Sequence, residues 1–158
     1  MENQQISKEK ERVIVYVDGF NLYFGMLEDR LDYLKWLNIY SLSQSLIKDN
    51  QELLAVKYFT SRVTHDVDKN RRQGIFIDAL KTQKIDIYFG TYHSQKKHCR
   101  NCGYNFIDFQ EKMTDVNIAS QLIIDAYENK FDKAILISGD SDLVPPIKAI
   151  RKKYVEKK

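Results

Sequence analysis

The chain has 158 residues, 43% of them hydrophobic, which fits one folded domain and excludes a disordered chain. No apolar run approaches the roughly 20 residues that a transmembrane helix needs, and two cysteines provide no disulfide framework, so we expect a cytoplasmic protein without membrane contact. The net charge of +3 is too small to imply a nucleic-acid partner by itself.

Strands and helices alternate along the chain after a polar segment, residues 1–11, that we expect to be flexible. Apolar-rich runs predict strands at residues 12–17, 53–60, 85–90 and 134–137. Helical spacing predicts helices at 38–48, 69–82, 114–129 and from about Ser141, the last with Pro145 and Pro146 in its first turn. Residues 22–36 are predicted to form an irregular or short helical connection.

This alternation predicts an α/β fold with a mainly parallel sheet in a single domain, residues 12–158. Residues 154–158 stop where such a domain would often add one more strand. Either the chain is truncated at this end or the sheet finishes in another way.

Acidic residues follow the first and the last predicted strands. Asp18 comes directly after the first strand, and Asp140 and Asp142 come after the last. Because ligands of open α/β sheets bind beyond the carboxyl ends of the strands, we expect these side chains at one edge. Crowded carboxylates repel each other unless a cation lies between them, and hard divalent cations take oxygen ligands. The sequence therefore predicts a Mg²⁺ or Mn²⁺ site.

Each of these aspartates also has a purely structural explanation. Asp115 follows Thr114, a candidate N-cap, and a carboxylate in the first turn of a helix is favoured by the helix dipole. Asp is common in turns after strands, where Asp18 and Asp140 lie. Both explanations stay open for each residue alone, whereas the coincidence of several on one edge favours a metal site.

Three motifs together resemble the bacterial NYN domain of the PIN-like nuclease superfamily. They are VDGFNL at 17–22, EKMTDVN at 111–117 and SGDSDLVP at 138–145, and their order and spacing match over residues 12–150. The resemblance implies a Rossmann-like three-layer α/β/α sandwich and a metal-dependent ribonuclease centre. The implied metal-site and catalytic positions are Asp18, Asp115, Asp140 and Asp142, with Asn21 as a catalytic polar partner and Ser138 as a substrate-binding one.

Metal-assisted hydrolysis of a phosphodiester fits these residues, since a carboxylate-bound ion can activate water and stabilise the leaving oxygen. The sequence contains neither a Gly-x-x-x-x-Gly-Lys-Ser/Thr loop nor a Gly-x-Gly-x-x-Gly run, which disfavours nucleotide-driven and dinucleotide chemistry. The leading hypothesis is a ribonuclease that prefers single-stranded RNA. A non-catalytic nucleic-acid-binding or adaptor module and a small-nucleotide phosphatase are the alternatives.

Basic and aromatic residues supply further substrate-binding candidates. Arg71 and Arg72 belong to a basic cluster that suits a polyanion, although such a cluster is also consistent with a solvated helix face. Exposed aromatic side chains can stack on unpaired bases, whereas packing is the alternative for each of them. The candidates are Tyr23, Phe24, Tyr92 and Tyr104.

Residues 91–105 are predicted to form a polar loop that carries both cysteines of the chain. The spacing of Cys99 and Cys102 is half of a zinc knuckle, and His93 is a candidate third ligand for Zn²⁺. Two reduced thiols without metal are one alternative, and a site shared by two chains of a homodimer is another.

Overall fold

Four parallel strands form the central sheet of the computed structural model, which describes residues 9–158. Residues 1–8 of the segment expected to be flexible lie outside the described residues, and the first strand already begins at Glu11. Residues 9–158 contain six strands in all, namely β1 (Glu11–Asp18), β2 (Gln51–Thr60), β3 (Asp86–Phe89), β4 (Thr91–His98), β5 (Asn105–Lys112) and β6 (Lys133–Ile137). The sheet order is β3-β2-β1-β6, and β4 and β5 form a separate antiparallel hairpin.

Within the described residues, five α-helices connect or flank these strands. They are α1 (Gly19–Glu28), α2 (Ile39–Ser45), α3 (Val67–Thr82), α4 (Thr114–Tyr127) and α5 (Val144–Lys153), with 3₁₀ turns at Asp32–Leu34 and Ser141–Leu143. The prolines of α5 lie in its first turn, as predicted. Within residues 9–158, every helix is too short or too polar to cross a bilayer.

The two faces of the sheet are covered by different helices, which gives the expected three-layer α/β/α arrangement. Ile14 and Tyr16 of β1 pack into a core that includes Ile118 of α4 and Ile150 of α5. The alternate residues Val15 and Val17 pack on the opposite face, in a second core with residues of α2 and α3. Because side chains alternate along a strand, the apolar run of β1, residues 13–17, serves both cores.

The connection after β1 is more helical than predicted. The side chain of Asp18 accepts a hydrogen bond from the backbone N–H of Asn21 and caps α1, so the helix begins directly at Gly19. Thr114 is not an N-cap as expected. Met113 occupies that position with a left-handed φ of 77°, and Thr114 is the first helical residue.

The predicted loop at 91–105 is wrong, because most of it forms β4 and the turn of the hairpin. Thr91–His98 is polar and its residues are half-buried or exposed, so the strand lacks the apolar alternation by which strands are found in a sequence.

At the other side of the sheet, the backbone N–H of Lys158 donates to the carbonyl of Asp132 (3.0 Å) beside β6. The sheet is thus extended by a backbone contact after α5.

Candidate active site

Asp18 ends the central strand β1 and is only 4% exposed. Its Oδ1 accepts a hydrogen bond from the backbone N–H of Asn21 (3.0 Å), and its Oδ2 accepts one from Ser138 Oγ (3.0 Å). Burial raises the pKa of Asp18, the two hydrogen bonds oppose this change, and the charges of Asp140 and Glu111 add to it. The carboxylate is therefore fixed in position and has other negative charges nearby.

The first and third motifs are joined by hydrogen bonds across the ends of β1 and β6. Asn21 Oδ1 accepts from the backbone N–H of Gly139 (2.7 Å), and Ser138 Oγ accepts from that of Asp140 (3.1 Å). Asp140 Oδ1 in turn accepts from the backbone N–H of Asp142 (2.8 Å), which caps the 3₁₀ turn before α5. The turn after β6 is thereby held against the start of α1.

Asp115 lies in the first turn of α4, as the sequence indicated. Burial is the largest cause of its raised pKa, followed by the charges of Asp140, Asp18, Glu111 and Asp142. Asp115 and these four carboxylates therefore lie at one edge of the sheet, where the four charges act on Asp115.

Glu111 is the acidic residue of this edge that sequence reasoning did not select. It lies near the end of β5, where its Oε1 accepts hydrogen bonds from Ser61 Oγ (2.8 Å) and from Thr114 Oγ1. Glu111 opens the motif that contains Asp115, four positions before it, and this spacing was the available signal. It was passed over because no predicted element placed it beside the sheet.

Gly90 allows the chain to cross this edge between β3 and β4. A Cβ atom at Gly90 would lie 2.4 Å from Ser61 Oγ, 2.6 Å from the carbonyl oxygen of Lys112 and 2.8 Å from Thr114 Oγ1. Contacts this short are not tolerated, so any side chain here would displace the residues that bind Glu111. The glycine thus maintains the position of the hairpin relative to the sheet.

The donors at this edge fit a hard divalent cation chemically, because they are carboxylate, amide and hydroxyl oxygens. Within residues 9–158, however, no three Asp, Glu, His or Cys side chains are close enough together to hold a metal ion as they stand. Coordination would therefore require rotation of side chains such as Asp140 and Asp142, whereas Asp18 is already held by two hydrogen bonds.

Of the predicted substrate-binding residues, Ser138 lies at this edge and contacts Asp18 directly. Arg71 and Arg72 lie on the exposed surface of α3, and the structure does not bring them to the aspartates. They remain candidates for binding a longer polyanion outside the carboxylate centre.

Cys99 and Cys102 lie in the turn between β4 and β5. The backbone N–H of Cys99 donates to Tyr104 O (2.8 Å) and that of Gly103 donates to Cys99 O (2.9 Å). Backbone amides of Cys102 and Asn101 directed at the thiol lower the pKa of Cys99.

His93, the third predicted zinc ligand, is not brought to this turn. It is separated from Cys99 by six residues of extended chain, roughly 20 Å at about 3.3 Å per residue. His98 directly precedes Cys99, and its Nδ1 is hydrogen-bonded to Asn105 Oδ1 on the paired strand (2.9 Å). The turn itself, residues 99–104, therefore offers two thiols as zinc ligands.

A parallel sheet covered on both faces, with acidic residues beyond β1 and β6, defines a PIN-like α/β domain. The family model for the NYN domain matches residues 12–157, nearly the whole chain, and the protein belongs to this family. The NYN family is part of the PIN-like superfamily. The resemblance carried by the three motifs is confirmed.

The chain is also similar to the 6-hydroxy-3-succinoylpyridine 3-monooxygenase of Pseudomonas putida, at 26% identity over 94% of this chain and 58% of the relative. It thus spans less than two thirds of the length of this curated relative. A crystal structure of a protein of unknown function from Vibrio parahaemolyticus matches with a TM-score of 0.66 and 22% identity, over 96% of this chain and 80% of that one. This second likeness supports the fold alone.

Proposed function

We propose that this protein hydrolyses RNA phosphodiester bonds at the edge formed by Asp18, Asp115, Asp140 and Asp142, with Mg²⁺ or Mn²⁺ as cofactor. The observation that carries the proposal is the gathering of these carboxylates: burial raises the pKa of Asp115, and the charges of Asp140, Asp18, Glu111 and Asp142 raise it further. Such crowding is unfavourable for folding, and a divalent cation would relieve it. The NYN family is generally nuclease-like, which supports the same chemistry.

A bound ion supplies Lewis-acid chemistry, namely an activated water and a stabilised leaving oxygen. The residues of the chain fix the positions of the groups that would hold the ion. Ser138 Oγ and the backbone N–H of Asn21 each donate to one oxygen of Asp18 and so fix its carboxylate, while Asn21 Oδ1 holds the turn that carries Asp140. Asp142 is exposed and its role in the proposal is to orient water at the rim of the site.

RNA is the proposed substrate because NYN domains generally bind RNA. The exposed guanidinium groups of Arg71 and Arg72 would contact its phosphates away from the carboxylates. A binding module without catalysis would gain nothing from placing five carboxylates against a polyanion, so the charge at this edge favours hydrolysis over binding alone.

The name of the Pseudomonas putida relative raises oxygenation of a pyridine ring as a second candidate. That reaction needs dioxygen and a reductant, and metals that activate dioxygen commonly use histidine or cysteine ligands. The donors at this edge are oxygen atoms, which suit Mg²⁺ and Mn²⁺. We therefore favour hydrolysis.

The deciding experiment incubates an internally labelled RNA oligomer with the protein in Mn²⁺, in Mg²⁺ and in EDTA, with Asp18→Asn as the matched inactive variant. We expect cleavage that needs the metal and is lost in Asp18→Asn. Phosphate release from mononucleotides without RNA cleavage would identify a phosphatase. If RNA binds and stays intact under all conditions, the nuclease proposal is wrong and the binding-module alternative replaces it.

A further inference from the structure

The β4–β5 hairpin, residues 91–112, extends from the acidic edge as an arm with two different faces. Directly paired residues of an antiparallel ladder point to the same face, so the register assigns each side chain. The inner face carries Tyr92, Ser94, Lys96, Ile107, Phe109 and Glu111. Its last residue, Glu111, is a member of the acidic edge, so the inner face leads directly into the candidate active site.

Aromatic rings form a continuous series from α1 to this inner face. Phe24 stacks on Phe20 (centroids 6.2 Å apart), Phe20 meets Tyr92 edge-on (6.1 Å), and Tyr92 meets His65 (5.4 Å). His65 is exposed and stacks on Phe109 at 4.3 Å with an interplanar angle of 13°. The series thus runs from α1, the helix that Asp18 caps, to the inner face of the arm.

These rings are not fully used by packing. Phe24 is 53% exposed and Phe109 is 38% exposed, although both take part in ring contacts. A row of exposed aromatic side chains on a folded domain usually marks a surface for binding. Planar rings with open faces suit the stacking of unpaired nucleobases.

The charges of the arm also distinguish its two faces. On the outer face, Lys97 forms an ion pair with Asp108. On the inner face, Lys96 is exposed opposite Ile107 and forms no ion pair within residues 9–158. An uncompensated ammonium group opposite Ile107 offers a contact for a phosphate next to positions where bases can stack.

We infer that the inner face of the arm binds single-stranded RNA, with bases stacked on the exposed rings around Phe109 and a phosphate at Lys96. Phe109 and Glu111 are two residues apart, about 7 Å along the strand, so a strand bound there reaches the carboxylates within a nucleotide or two. A duplex keeps its base faces stacked internally and cannot use this surface. The inference deepens the proposed function and rests on it for the choice of RNA.

The arm offers a matched pair of variants for the test. Phe109 on the inner face and Phe106 on the outer face lie on the same strand with 38% and 43% exposure. Binding of a fluorescein-labelled single-stranded RNA is measured by anisotropy in EDTA, where cleavage is not expected. We expect Phe109→Ala to weaken binding about tenfold, the loss of one stacked base, and Phe106→Ala to change it less than twofold. A duplex of the same sequence should bind equally to both variants.

Equal binding of single-stranded RNA by Phe109→Ala and Phe106→Ala would overturn the inference, whether or not the wild type cleaves RNA. Selective loss in Phe109→Ala would support it even if no cleavage were found, so the two proposals fail separately. If Phe109→Ala melts early, Phe109→Leu keeps the apolar volume without a planar ring and must show the same selective loss. If Phe109→Ala instead changes a dimer into a monomer with RNA affinity unchanged, the inner face contacts a second copy and the inference is wrong.

Discussion

The acidic edge and the hairpin arm are held by the fold in very different ways. Asp18 lies at the end of a strand that is buried between two parallel neighbours, and its carboxylate is fixed by two hydrogen bonds. The arm is paired only with itself, and most of its side chains are exposed. Groups that react must be held rigidly, whereas a surface that binds a flexible strand can tolerate exposure. The comparison teaches that the two tasks can be separated by mutation.

The largest expected effect is on catalysis at the rigid edge. We expect Asp18→Asn and Asp140→Asn each to reduce RNA cleavage at least about 100-fold, because each removes a charged group at the reacting centre. Asp142→Asn should reduce cleavage less, since Asp142 is exposed at the rim. Cleavage of labelled RNA is the measurement, and Asp108→Asn on the outer face of the arm is the control. Wild-type rates in Asp18→Asn would remove the basis of the assignment.

The next effect concerns stability and compares a buried lysine of the central sheet with a lysine of the arm. Lys57 Nζ lies 2.6 Å from Asp125 Oδ2, which also accepts from Tyr16 OH (2.6 Å), and Asp125 is fully buried. Lys57→Met removes the buried cation and leaves this carboxylate only a longer ion pair with the half-exposed Lys130 (3.5 Å), so it should lower the free energy of unfolding by about 3 kcal/mol. Lys97→Met on the arm breaks a partly exposed pair and should leave urea unfolding almost unchanged. Equal losses in the two variants would contradict the proposed difference between the regions.

The same buried pair predicts a pH dependence. Burial acts to raise the pKa of Asp125, but hydrogen bonds from Lys57 and Tyr16 outweigh it and the pKa is lowered. The stabilisation is therefore fully present above the unfolded pKa of about 4 and is lost as the pH falls through the folded value. The stability difference between wild type and Lys57→Met should shrink between pH 5 and pH 2 or so in urea unfolding. A stability difference that grows as the pH falls would contradict the predicted direction of the pH dependence.

Metal binding should have a smaller and selective effect on the edge. Millimolar Mn²⁺ is expected to raise the melting temperature, because a ligand that binds only the folded state stabilises it. The Asp18→Asn and Asp140→Asn double variant should lose this shift and should be at least as stable as wild type without metal, since carboxylate repulsion is reduced. Asp108→Asn, on the arm, should keep the shift. A wild-type melting temperature that does not change when Mn²⁺ is added would count against the metal centre.

The smallest expected signal is zinc at the turn of the arm. Since one chain offers two thiols and a structural zinc site uses four ligands, we expect about half an equivalent of zinc per chain, shared by two copies. Elemental analysis of protein purified without chelators measures this, and Cys99→Ser should abolish it. Less than about a tenth of an equivalent in the wild type would leave the turn as a plain hairpin connection.

The sheet and its acidic edge were predictable because their signals are local. The apolar run of β1 is buried on both faces, Asp18 ends β1 and Asp140 lies three positions after β6, so their meeting at one edge follows from parallel topology alone. The arm was not predictable in this way. Its strands are polar, and what places them is contact with His65 and Phe20, which are distant in sequence.

The N-terminus of α4 shows the same limit on a smaller scale. Thr114 has the residue type of an N-cap, but its hydroxyl donates to Glu111, and Met113 occupies the N-cap position. A threonine at the start of a helix can bond to the backbone or to a nearby side chain, and only the position of β5 decides between them. Glu111 was missed for the same reason.

The arm is joined to the rest of the domain by single residues at both ends, Gly90 after β3 and Met113 before α4. Both links are conformationally restricted, since Gly90 has no room for a side chain and Met113 adopts a left-handed backbone conformation. The arm is therefore held at a fixed position relative to the acidic edge. If RNA is cut at the acidic edge, the cut falls at a constant number of nucleotides from the base stacked at Phe109, and the position of the cut would reveal the distance from Phe109 to the acidic edge.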